Sequence, residues 1–199
     1  MANELNINIG EGDAWKEVDS VKINIGDSWK EASEIQVNIG DTWKVAWKRK
    51  AAYFKVRYRA KRDAVGVTLQ CGVILGDNSV YNDVIVLTTS FADYETGNLV
   101  INNTSYTETE CASLQVKYTH GTPGGWGYIS EIEVDIYDDS DHLLDTVKPN
   151  SDESIEWTST EGTNYGAVNN GISTPNDTTY VSNNTAWNED QLGLENPSW

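Results

Sequence analysis

The 199-residue chain has little of several things that chemistry usually needs. Two cysteines, Cys71 and Cys111, are too few and too far apart for a disulfide framework or a zinc cluster. Two small buried thiols in strands, or one bridge between them, are the readings left. The two histidines, His120 and His142, have no cysteine or histidine at ligand spacing, and "YTHGTP" and "SDHLLD" both read as turns. Only 14 Lys and Arg stand against 31 Asp and Glu, a formal net charge of -17. A surface of that sign repels nucleic acid and anionic membrane at long range, so neither is expected as a partner. No apolar run is long enough to cross a bilayer. The opening "MANELNINIGEGDAWK" shows neither the basic nor the apolar region of an export signal, so none is expected. Nucleophile elbow, phosphate loop and zinc signature are missing too, and the expectation is a chain without catalytic residues or cofactor.

What is there begins with a repeat. Aligned on tryptophan, "GDAWK", "GDSWK" and "GDTWK" recur at Trp15, Trp29 and Trp43, in steps of 14 residues. Upstream, Val21, Ile23 and Ile25 alternate with polar residues, as do Ile35, Val37 and Ile39; period two means half-buried strand. The Gly-Asp pair suits a tight turn, since glycine tolerates positive φ and aspartate bonds the backbone beyond it. Each unit therefore reads as a short hairpin. The first carries two extra residues at its turn, which predicts a wider loop there. Three such units make a thin core, so Trp15, Trp29, Trp43, Ile25 and Ile39 are the candidates for contact with other subunits or a partner's surface. The Trp-Lys pairs serve either as caps on each rung or as places for a sugar or carboxylate. These repeats resemble the short "IxINxGDxWKE" repeats of structural and fibre proteins of tailed phages. That resemblance implies a stalk or anchor over residues 1–48.

Past "KRK", near Lys48 to Lys50, the pattern changes. Phe54, Val56, Tyr58 and Ala60 alternate with Lys55, Arg57 and Arg59, followed by the strand signals "VGVTLQCGVIL", "NDVIVLTTSF", "SLQVKYTH" and "YISEIEVDIYD" between polar turns. Only "TETECASLQ" hints at a helical turn. The fold class expected is all-β: N-terminal hairpin repeats, then an antiparallel jelly-roll-like β-sandwich over residues 49–199. Ile132, Val134 and Ile136 are expected inward, with Glu131, Glu133 and Asp135 outward and solvated. The last three should lie beside Lys55, Arg57 and Arg59, as exposed pairs that set the register but add little stability. The final fifty residues are rich in Asn, Thr, Ser and Gly, yet Trp157, Tyr165, Val168, Tyr180, Val181, Trp187, Leu192, Leu194 and Trp199 predict an ordered segment.

"LTTSFADYETG", "LQVKYTHG" and "ISEIEVDIY" are similar to a jelly-roll module of phage virion proteins, and "TNYGAVNNGISTPNDTTYVSNN" resembles another segment of the same proteins. Here the second segment follows the first, the reverse of the usual order. The resemblance thus implies a circular permutation, with Trp199 ending near where Ala51 begins, and it carries over no catalytic residue.

Two further candidates stand on the residues alone. Asp138, Asp139 and Asp141 in "YDDSDHLLD" offer hard oxygens to calcium, or form a solvated turn. Trp126 in "HGTPGGWGY" either faces solvent, where an indole stacks on a sugar, or tucks over the sheet edge. The function expected is that of a non-enzymatic virion protein on the particle surface, as head fibre, capsid decoration or tail-fibre component. Homo-oligomerisation, as a trimer by analogy with phage fibres, and contact with other virion proteins go with it. A carbohydrate-binding adhesin that grips a host glycan is the alternative.

Overall fold

A computed structural model describes residues 8–11, 14–17, 22–25, 28–31, 34–39, 42–121, 125–152, 158–159, 180–183 and 189–199. The repeats form three antiparallel hairpins: β1 (Asn8–Glu11) with β2 (Ala14–Glu17), β3 (Lys22–Ile25) with β4 (Ser28–Glu31), and β5 (Glu34–Ile39) with β6 (Thr42–Lys48). Trp15, Trp29 and Trp43 hold equivalent places, paired with Gly10, Asn24 and Asn38. Their side chains, with those of Ile25 and Ile39, lie outside the described residues. The first loop is not wider than the others. Glu11 pairs Ala14 as Ile25 pairs Ser28 and Ile39 pairs Thr42, so two residues separate the paired ends each time. The extra Gly10 and Glu11 enter the ladder, because two-residue closure matches the twist of paired strands. Among the described residues, each hairpin is a separate two-stranded sheet.

Two larger antiparallel sheets follow. One contains β7 (Tyr53–Arg62), β11 (Ala92–Glu95), β13 (Gly127–Tyr137), β14 (Leu143–Val147), β16 (Thr158–Ser159) and β17 (Val181–Asn183) in the order β11-β7-β13-β17-β16. β14 pairs the far end of the β13 edge that β17 occupies. The other contains β8 (Thr68–Leu75), β9 (Asn78–Tyr81), β10 (Ile85–Val86), β12 (Leu114–His120), β15 (Pro149–Asp152) and β18 (Glu189–Leu194) in the order β10-β8-β12-β18-β15, with β9 also on β8. The chain crosses between sheets repeatedly, so apart from the β8-β9 and β13-β14 hairpins most strand neighbours are distant in sequence. "NDVIVLTTSF" illustrates this. Thr88 bonds the carbonyl of Ser90 at 2.7 Å, and the resulting turn splits the segment into β10 in one sheet and the approach to β11 in the other.

The core lies between the sheets. Phe54, Val56, Tyr58 and Ala60 of β7 meet Leu69, Cys71 and Val73 of β8, Val116 and Tyr118 of β12, and Ile132, Val134 and Ile136 of β13, all buried. Cys71 and Cys111 are free buried thiols, and burial pushes the Cys111 thiol up to about 12. His120 ends strand β12 rather than sitting in a turn, and it is fully buried opposite Leu69. The only helix among the described residues, α1 (Glu108–Cys111), is held by a reciprocal cap. Thr107 accepts from the Glu110 amide, and the Glu110 carboxylate accepts from the Thr107 amide at 2.7 Å. The end of the chain contributes β18, with Leu192 and Leu194 in the core, and Val181 of β17 is buried as well. Trp157, Tyr165, Val168 and Trp187 lie outside the described residues. The Trp199 indole donates to the Arg49 carbonyl at 3.3 Å, so the sandwich begins and ends at one place.

Candidate functional site: an aromatic surface around Lys61

The site is built on the outer face of β7 and β13. The register pairs Tyr53 with Tyr137, Lys55 with Asp135, Arg57 with Glu133, Arg59 with Glu131, and Lys61 with Tyr128. These are rungs of one ladder, because alternate residues on a strand share a face. The parity holds to the end only through a bulge at Ser130. The extra residue lets Ile129 join Ile132 in the core while Tyr128 stays outside with Glu131.

The three basic and three acidic residues lie side by side as the alternation predicts, but the carboxylates are not solvated. Glu131, Glu133 and Asp135 are all buried. The Arg57 guanidinium forks onto Asp135, Nε to Oδ2 at 2.6 Å and Nη2 to Oδ1 at 2.8 Å, and also meets Glu133 Oε1 at 2.8 Å. Thr146 donates to the same Asp135 at 2.6 Å. Burial opposes the charge on Arg57, yet the bonds to Asp135 and the field of Glu133 outweigh it and raise the pKa. Buried charges require such pairing, which makes the middle rung a fixed structural element. The flanking pairs are wetter: Lys55 with Glu95 at 3.1 Å and Arg59 with Asp93 at 2.9 Å.

At the end of the row the company changes. Lys61 Nζ lies 4.5 Å from the ring centroid of Phe91, 5.1 Å from that of Tyr128 and 5.7 Å from that of Tyr180. Phe91 precedes β11, Tyr128 is on β13 and Tyr180 precedes β17, so four adjacent chain segments contribute across the sheet. Tyr128 and Tyr180 meet edge to face, centroids 5.2 Å apart and planes at 87°. Trp126 continues the surface, stacked 6.5 Å from Tyr128 at 30°. It is 37% exposed, and so lies against the sheet end while presenting a face to solvent. Desolvation by burial, helped by nearby Asp63, raises the pKa of the Tyr128 hydroxyl.

The loops that carry these rings are locked together. The Trp126 amide donates to Asp63 Oδ1 at 2.7 Å, and the Asp63 amide donates back to the Trp126 carbonyl at 3.2 Å. Gly125 must be glycine here, because a Cβ would come within 2.5 Å of Val67 and 2.8 Å of Ala64. That close approach brings the loop down and delivers Trp126 to the surface.

The calcium candidates do not converge. Asp138 is spent on its own turn, accepting from the amides of Ser140 at 3.0 Å and His142 at 2.9 Å. Asp139 accepts from the Ser140 hydroxyl, and Asp141, at a left-handed φ of 63°, accepts from the Tyr53 hydroxyl at 2.9 Å. Among the described residues no group of three or more acidic, histidine or cysteine side chains is arranged to hold a metal ion. Phe91 and Lys61 have no signal in the sequence that marks them as site residues, since they meet only through strand pairing.

No protein-family model, curated protein or solved structure matches this sequence.

Proposed function

We propose that the chain is a non-enzymatic structural protein of a tailed-phage particle, anchored by its hairpin repeats in a homo-oligomer, with the sandwich projecting from the particle surface. One observation carries this reading: the three repeats pair only within themselves, each as a lone two-stranded sheet among the described residues. A two-stranded unit is marginal in water and needs a neighbour against its apolar face. Other subunits or virion proteins supply that neighbour, and the resemblance of the repeats to those of phage fibres supports the same conclusion. The -17 charge keeps such a surface soluble and away from nucleic acid. Gold-labelled antibody on purified particles, together with sedimentation equilibrium of the full chain, tests it. Surface labelling and a trimer are expected; an unlabelled particle or a monomer at micromolar concentration overturns it.

A second reading, a glycan-binding adhesin, is favoured by the aromatic surface around Lys61. An exposed indole, Trp126, beside half-buried rings and a polar group is the kind of surface on which a pyranose stacks. The two readings are compatible in one molecule.

A further inference from the structure

We propose that the aromatic surface at Lys61 binds a saccharide bearing a carboxylate, a uronic or sialic acid, with the sugar ring on Tyr128 and the acid group on the Lys61 ammonium. The inference rests on the adhesin reading of the same surface and adds the chemical class of its ligand. In this row Lys55 pairs with Glu95, Arg57 with Glu133 and Asp135, and Arg59 with Asp93. Lys61, the next basic residue on the same face, has three aromatic rings in place of a carboxylate among the described residues. In a chain with more than twice as many acids as bases, an ammonium set among rings rather than carboxylates is suited to an anion from outside. The nearby Asp63 carboxylate is already bound to the Trp126 amide.

The shape adds the sugar. Tyr128 and Tyr180 stand at 87°, a floor and a wall, with the ammonium over both, 5.1 Å and 5.7 Å from their centroids. A pyranose laid on one ring brings an equatorial carboxylate to the nitrogen, and its apolar face gains the stacking that a simple anion lacks. Trp126, 6.5 Å from Tyr128 and inclined by only 30°, extends the floor by about one further sugar. The fit is therefore to an acidic oligosaccharide rather than to a free carboxylate or an acidic peptide.

The test is calorimetry on the full chain with trigalacturonate, sialyllactose, lactose and polyglutamate. At least one acidic sugar is expected to bind, with lactose about tenfold weaker or more, a difference of about 1.4 kcal/mol. K61Q should erase that acidic preference while leaving weak lactose binding. W126A, at a ring already partly exposed, should weaken binding of trigalacturonate and lactose alike while the far-UV circular dichroism stays that of the folded chain. Which acidic sugar binds separates the uronic from the sialic source. Equal binding of lactose and the acidic sugars, unchanged by K61Q but lost in W126A, overturns the acidic ligand and leaves the adhesin standing. Polyglutamate binding as tightly as the acidic sugars, and lost in K61Q, overturns the saccharide. No binding by any probe overturns both readings.

Discussion

Arg57 and Lys61 lie four residues apart on one face of one strand, and they do opposite things. Arg57 is enclosed by Glu133 and Asp135, both buried, and its fork is used up inside the molecule. Lys61 sits among Phe91, Tyr128 and Tyr180, with rings where Arg57 has carboxylates. What surrounds a basic residue on a strand is thus set by what the neighbouring strand puts opposite it. The change occurs at the Ser130 bulge, where β13 passes from acidic to aromatic partners.

Four changes break or sharpen that contrast. Deleting Ile129 should have the largest effect, because it removes the bulge, keeps Tyr128 outward and puts the Ser130 hydroxyl in the inward place of a buried isoleucine. Lost burial of that isoleucine and a hydroxyl placed in the core together cost about 4 kcal/mol, read as a lower midpoint in urea unfolding. Next is Arg57→Ala, which leaves Glu133 and Asp135 buried without their cation. About 3 kcal/mol of destabilisation is expected, since breaking a buried pair strands its partners. Replacing all three charges, Arg57→Met with Glu133→Leu and Asp135→Leu, should recover much of it. Lys61→Ala should cost about 1 kcal/mol or less in the same measurement, the worth of a half-exposed ammonium over rings. A loss near that of Arg57→Ala would mean that the aromatic end is structural after all. Smallest is Lys55→Ala, about 0.5 kcal/mol and reduced further by salt, because its partner Glu95 is 46% exposed.

The register of the charged rungs was legible beforehand. Two strands with matching alternation and opposite charges have one pairing that satisfies both, and the structure adopts it. Burial of those carboxylates was not legible, because alternation says which face a residue takes and nothing about what covers that face. The bulge did leave a trace: Ile129 and Ile132 are three apart in a strand whose other inward residues are two apart. Trp126 was visible as a ring in a glycine-rich loop. Its companions were not, since Phe91, Tyr128 and Tyr180 come from separate segments of the chain and carry no common spacing.

The sequence by itself determined the all-β character, the three hairpins, the inward faces of β7 and β13 and the pairing of their charges. Each follows from a period of two, turn residues and charge sign, all local properties. Only the tertiary structure decided that the first hairpin closes as tightly as the others, that the acidic row is buried, that His120 lies within the fold and that Lys61 meets aromatic rings. Those outcomes depend on which distant strands become neighbours. Packing two sheets around one core sets that order, and no single stretch of chain encodes it.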